Sequence, residues 1–265
     1  MLDEILHSKK AELAETRLRI PLHDLMDQLP EEPPASFRAA ITQPSIRIIA
    51  EIKYRSPSHG PFRCQRPPEE VGLAYQQNGA AALSVLTEKS YFDGDLKFLD
   101  LLHQKSSDLP LLRKDFIFDP YQVIEARVHG ASAYLLIVAC LSRSELQQLL
   151  QEGRECSLEA LVEVHDPFEL DAAIESGARI IGVNNRNLRT FEVDLDTSFD
   201  IARRLEGEQG FTLVSESGIR EVEQIRDLQD AGFSAFLVGS SLMDTSDPGA
   251  ALRALNGAPE PESIS

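Results

Sequence analysis

The sequence predicts an α/β protein, a single (β/α)8 TIM barrel with an N-terminal helical extension, on three observations. Eight short apolar runs begin near residues 48, 82, 110, 133, 160, 180, 212 and 235, in steps of 20 to 34 residues, the size of one strand-plus-helix unit. The runs are continuously apolar rather than alternating, as expected of strands buried on both faces. The phrases QQNGAAALSVL, RVHGASAYLLI, AIESGARIIGV and LQDAGFSAFLV repeat one order of helix, glycine stop, small residue and buried strand. A doubly wound open sheet is the competing architecture. It favours a glycine-rich G-x-G-x-x-G turn after the first strand, and EIKYRSPSHG is not one.

The elements follow in order. Leu2, Ile5, Leu6, Leu13 and Leu18 stand among charges at helical spacing, which predicts an amphipathic helix over 2–20. Pro21, Pro30, Pro33, Pro34 and Pro44 then punctuate the chain, leaving room for a short helix over 37–41. Residues 1–45 therefore read as a helical extension packed on a barrel over 46–256, and residues 257–265, ending in APEPESIS, as a flexible tail. Strands are expected at 46–52, 81–86, 109–112, 133–138, 160–164, 180–183, 211–214 and 235–238. Helices are expected at 69–78, 95–105, 121–128, 143–152, 167–176, 197–205 and 221–230. Gly79, Gly130, Gly153, Gly177 and Gly232 are read as the glycines that stop helices.

Charge narrows the functional classes. Lys plus Arg is 26 against 43 Asp plus Glu, a net charge of −17, so a nucleic acid or an anionic membrane surface is repelled by the overall field. A small anion can still enter a pocket that holds a few lysines or arginines. The apolar run 133–141 is half a membrane span, and Met1 opens a charged segment rather than a signal peptide. Cys64, Cys140 and Cys156 lack C-x-x-C spacing and read as thiols of a reducing cytoplasm, and the six histidines are scattered, so no metal site is expected.

A barrel of this kind performs chemistry at the carboxyl ends of its strands. Alternation places Glu51 and Lys53 on one face of the first strand, and Lys114 and Phe116 on one face of the third, with Arg113 and Asp115 opposite. Glu163 is in phase with Leu161 and His165 on the fifth strand, and Asn184 with Arg186 on the sixth. Each feature has a plain structural explanation: a surface ion pair at Glu51–Lys53, a solvated loop at 113–115, a helix cap at 165–167, a turn at 184–187. Four strands ending inward in charged or amide groups are harder to explain so, because burying that many charges is costly unless they pair or meet a ligand. The seventh strand ends Ser215-Glu216-Ser217-Gly218 and the eighth Val238-Gly239-Ser240-Ser241, each ahead of a helix, an arrangement of backbone N–H and hydroxyl groups suited to phosphate. Ser56 adds a hydroxyl from beside the first strand.

The segments IIAEIKYRSPSHG (48–60), LSVLTEKSYFDG (83–94), LLRKDFIFDPYQ (111–122), LVEVHD (161–166), IIGVNNRNL (180–188), SESGI (215–219) and FLVGSSLM (236–243) together resemble indole-3-glycerol-phosphate synthase, a barrel enzyme of tryptophan biosynthesis. The resemblance implies a lyase that takes the phosphorylated small molecule 1-(2-carboxyphenylamino)-1-deoxyribulose 5-phosphate and closes its ring with loss of carbon dioxide and water. By position it implies Lys114 as general acid and Glu163 as base. Glu51 and Lys53 match the pair that orients the substrate, and Asn184 and Arg186 match residues near the departing carboxylate and amine. Ser56, Gly218, Gly239 and Ser240 match a phosphate cradle; Glu216 and Ser217 match polar lining, and Phe116 is expected to form an apolar wall. For Lys114 to give up its proton readily, burial and the nearby Lys53 would lower its pKa. No cofactor is implied, and nothing in the residues signals association with other tryptophan-pathway enzymes. Tyr54, Arg55 and His59 depart from the family pattern, none at a proposed catalytic position. Two other readings are phosphoribosylanthranilate isomerase, whose Cys/Asp chemistry lacks a cysteine on the first strand here, and a catalytically silent binding barrel.

Overall fold

The computed structural model describes residues 2–105 and 109–257. Three helices come first: α1 (Leu2–Arg19), α2 (Leu22–Met26) and α3 (Phe37–Ile41). Eight strands then alternate with helices: β1 (Ile48–Ile52), β2 (Ala82–Leu86), β3 (Leu111–Lys114), β4 (Ala133–Ile137), β5 (Glu159–Val164), β6 (Ile180–Asn184), β7 (Thr212–Glu216) and β8 (Ala235–Val238). All are parallel, and β8 pairs back onto β1 with Ile48 opposite Phe236, closing the barrel. The helices between them are α4 (Pro68–Gln77), α5 (Lys97–Lys105), α6 (Pro120–Val128), α7 (Arg143–Glu155), α8 (Pro167–Ser176), α9 (Asp196–Arg204) and α10 (Val222–Asp230), with α11 (Ser240–Met243) and α12 (Pro248–Leu255) after β8. The expected tail falls, from residue 258 onward, outside the described residues.

Local chemistry accounts for the element ends. Asp119 and Ser142 cap α6 and α7 through capping boxes, and Asp166 accepts from the Phe168 and Glu169 N–H groups at the start of α8. Gly79, Gly130, Gly177 and Gly232 follow their helices at positive φ, as expected. Gly153 does not stop a helix: α7 runs on to Glu155. Its missing Cβ is a matter of packing, because a methyl there would fall on the Tyr134 ring and hydroxyl, which donates to the Leu149 carbonyl at 2.7 Å. A helix-interior glycine of this kind follows the same sequence pattern as a stop. A hairpin of two-residue strands, Arg55–Ser56 and Gly60–Pro61, follows β1 without a sequence expectation to match it.

The barrel interior is layered. Inward residues near the amino end are apolar: Ile49, Leu112, Leu161 and Val214 are fully buried, and Phe37 and Ile41 of α3 join the same cluster, plugging that end. Arg38 pins the plug, its backbone N–H on Glu159 and its side chain on Thr212. Two residues further along the same strands the inward positions become Glu51, Lys114, Glu163 and Glu216. The first helix reaches the opposite, carboxyl end. There Lys9 is buried with its ammonium 2.9 Å from Asp115, beside Lys114, and Arg17 pairs with Asp119.

The segment 113–115 is no solvated loop. Arg113 is 2% exposed and spans Glu125 at 2.9 Å, Asp115 at 3.2 Å and the Gln122 carbonyl at 2.7 Å, while Thr87 donates to Asp115 at 2.6 Å. Arg113 and Asp115 thus point away from the barrel axis into the layer between strand and helix, fixing the strand whose next inward residue is Lys114.

Candidate active site

A cavity of about 500 Å³ opens at the carboxyl end of the barrel, a size suited to a small organic ligand. Glu51 and Lys53 reach it from β1 and the residue following, Lys114 and Phe116 from β3 and its loop, and Glu163 from β5. Asn184 and Arg186 enter from β6 and its loop, Glu216, Ser217 and Gly218 from β7 and beyond, Gly239 and Ser240 from after β8, and Ser56 from the hairpin. Every site residue selected from the sequence borders this one space. Others border it that sequence reasoning missed. Phe92 stands 6.2 Å from Phe116, ring centre to ring centre, and Leu2 and Ile5 of α1 come from the far end of the chain with no local signal to announce them.

The ammonium of Lys114 sits among three carboxylates, 3.6 Å from Glu216, 3.7 Å from Glu163 and 3.9 Å from Glu51. Lys53 is closer to Glu51, at 2.6 Å, and its ammonium is 3.5 Å from the Ser240 hydroxyl. Gly239 and Gly182 make the room: a Cβ at either would collide with the Glu51 or Glu216 carboxylate. Burial acts to lower the Lys114 pKa, but Glu216, Glu163 and Glu51 outweigh it and hold the group above the ordinary lysine value. This corrects the expectation of a lysine made more acidic by Lys53. Adding the carboxylates of three strands around one ammonium reverses the sign.

The three carboxylates differ. Burial opposes the charge on Glu51, yet Lys53 and Lys114 hold its pKa below the ordinary value. Glu163 is likewise held low against burial by Lys114, by His165 and by the Asn184 amide, which donates at 3.0 Å. Glu216 goes the other way, because burial and the neighbouring Glu163 charge both favour its protonated form, and its Oε1 has no hydrogen-bond partner among the described residues. One pocket therefore holds a carboxylate poised to accept a proton beside one inclined to keep its own.

The loop after β7 is held from below. Asn185, fully buried, donates to Ser215 and to the carbonyls of Glu216 and Ser217, each at 3.0 Å, and accepts from the Ser198 N–H and hydroxyl. That support fixes Ser217 and Gly218 at φ of 66° and 89°, a turn that non-glycine residues seldom adopt. The turn residue Asn185 is visible in the sequence, but its partners across β7 and α9 are not. Arg186, next in the chain, donates from its backbone to Asn184 and from its guanidinium to the Phe191 carbonyl at 3.1 Å.

A closed parallel barrel with a charged, ligand-sized cavity at its carboxyl rim defines a (β/α)8-barrel enzyme. The family profile described as indole-3-glycerol phosphate synthase matches residues 2–255. An indole-3-glycerol phosphate synthase of Carboxydothermus hydrogenoformans is 42% identical over 96% of this chain and 98% of its own, and indole-3-glycerol phosphate synthase 2 of Streptomyces coelicolor is 47% identical over 85% and 86%. The chain belongs to the indole-3-glycerol phosphate synthase family. More distant structures share the fold alone. The 3-hexulose-6-phosphate synthase of Salmonella typhimurium matches 80% of this chain and 97% of its own with TM-score 0.61 at 13% identity. The thiamine phosphate pyrophosphorylase of Pyrococcus furiosus matches 80% and 94% with TM-score 0.60 at 17% identity.

Proposed function

We propose that this chain converts 1-(2-carboxyphenylamino)-1-deoxyribulose 5-phosphate to indole-3-glycerol phosphate, with loss of carbon dioxide and water. The observation that carries the reading is the Lys114 ammonium ringed by Glu51, Glu163 and Glu216 between an aromatic wall, Phe92 and Phe116, and glycine- and hydroxyl-bearing loops. The wall suits the anthranilate ring. Ser56, Gly218, Gly239 and Ser240 suit the phosphate, with the Lys53 cation beside Ser240.

In this reading the ring carbon attacks the substrate ketone, and Lys114 donates to the oxygen as the alkoxide forms. Its fixed positive charge, held by three carboxylates, stabilises that oxygen as the bond develops. Carbon dioxide leaves from the attacking ring carbon, beside Arg186 and Asn184, and the electron pair of the broken bond restores the benzene ring. Dehydration then forms the double bond of the new five-membered ring: Glu163 takes a proton from the substrate while a protonated group across the pocket gives one to the departing hydroxyl. Glu51 orients Lys53 and Lys114, and Ser217 contributes polar lining. Residues 1–45 act as an extension of the barrel at 46–256, a reading supported by the Lys9–Asp115 and Arg17–Asp119 pairs. No described helix is long and apolar enough to cross a membrane, and a phosphorylated small molecule is the ligand class consistent with the family. We further propose a cytoplasmic setting, supported by free, unpaired cysteines.

Supplying the ribulose phosphate and following indole fluorescence tests the reading; a folded protein that forms no product overturns it. Arg186→Ala is expected to weaken binding of a substrate analogue by about tenfold or more, and to weaken the same analogue without its carboxylate far less. Equal losses for the two ligands would count against a contact between Arg186 and the carboxylate.

A further inference from the structure

His165 follows Glu163 by two residues, just past the end of β5, and in the sequence it reads as part of a helix cap. Its ring lies instead between two carboxylates. Nδ1 is 3.0 Å from Oε2 of Glu169, in the first turn of α8, and that same oxygen accepts the His165 backbone N–H at 2.8 Å. Nε2, buried, is 3.2 Å from Oε1 of Glu163, an ion pair by distance, with the N–H off the line of an aligned hydrogen bond. A neutral imidazole carries a proton on only one nitrogen, so one of these contacts would set a bare lone pair against a carboxylate. With both nitrogens facing acceptors, the doubly protonated ring fits the site.

We propose that His165, locked by Glu169 as an imidazolium, is a positioning residue that keeps Glu163 ionised and leaves Oε2 as the oxygen that accepts the proton. Oε1 is taken by His165 and by the Asn184 amide, whereas Oε2 faces Lys114, at 3.7 Å, on the cavity side. The remaining charged groups act in opposite directions: Lys114 supports the Glu163 charge, while Glu51 and Glu216 across the cavity oppose it. The thiol of Cys140, on the turn after β4, also faces Glu163 and Glu169. Burial and those two carboxylates push it up to about 12, so it stays neutral and does not compensate for a lost imidazolium. Burial acts to lower the His165 pKa, but Glu163 and Glu169 raise it to about 10, in keeping with the geometry.

This inference rests on Glu163 being the base, and its test separates the two. Nitrogen-15 NMR of histidine-labelled, ligand-free protein is expected to show His165 doubly protonated at about pH 8.5, where ordinary histidines are neutral; the signal is assigned by its loss in His165→Gln. In Glu169→Gln the same ring is expected to be neutral at that pH. With the ribulose phosphate as substrate, His165→Gln is expected to move the acid limb of kcat up by about one pH unit or more, with KM within about twofold, because a cation beside Glu163 is gone. A neutral His165 in the wild-type protein, or an acid limb that stays in place, overturns the proposal. So does a ring still doubly protonated in Glu169→Gln at about pH 8.5, a variant that keeps the test decisive should His165→Gln fail to fold. A wild-type protein without turnover overturns the enzymatic reading instead, and leaves the NMR result to decide the ion triplet.

Discussion

Lys114→Met is expected to cut indole formation by about 10²–10⁴-fold, the usual contribution of a positioned acid, while the phosphate end of the ligand still binds. The substitution removes an ammonium that lies within 4 Å of Glu51, Glu163 and Glu216 alike. Steady-state turnover with the ribulose phosphate, alongside binding of a phosphate-bearing analogue, checks it. Near-normal turnover would remove Lys114 from the mechanism. The charge also matters to folding. Because the folded-state pKa of Lys114 is raised, the stability it contributes is complete below the ordinary lysine value and is lost only as pH rises past it. The variant's stability deficit is therefore expected to persist across the neutral range. A deficit that instead vanished on going from pH 6 to 8 would contradict the reversed pKa.

The second large effect is on stability. Arg113→Ala is expected to cost about 3–5 kcal/mol in urea unfolding, because it leaves Glu125 and Asp115 as buried carboxylates without their guanidinium. Lys9 retains its contact with Asp115, so Asp115 keeps one cation and Glu125 bears the larger loss. Shifts below about 1 kcal/mol would mean the pair had found water or a new partner. Both variants act on one strand, one through its inward face and one through its outward face.

The fold is readable because a parallel barrel writes its period directly. Runs expected at 180–183 and 235–238 correspond to β6 and β8, and the short helix at 37–41 to α3, since each of these follows from local spacing and caps. The set of residues at the rim is readable for the same reason. Once inward positions are counted from Ile49, Leu112, Leu161 and Val214, alternation reaches Glu51, Lys114, Glu163 and Glu216 without further assumption. What escapes is everything decided by contacts remote in sequence. The charge state of Lys114 depends on carboxylates from β1, β5 and β7 together, so counting only its neighbour Lys53 gives the wrong direction. Gly153 reads as a stop because the Tyr134 hydroxyl that excludes a side chain lies on another element. His165 reads as part of a cap because the residue that locks it, Glu169, lies a helical turn further on, and the sequence does not show which way the ring turns.

The anchoring of α1 on Asp115 bears on how the protein is made. A ribosome emits this first helix well before the strand that receives it, and β1 finds one of its two neighbours only when β8, the last strand of the barrel, emerges. Until the strand ahead of Asp115 has emerged, Lys9 has no carboxylate there to dock on. A nascent chain that has not yet presented β8 therefore lacks both the closed barrel and the Gly239–Ser240 loop that completes the rim.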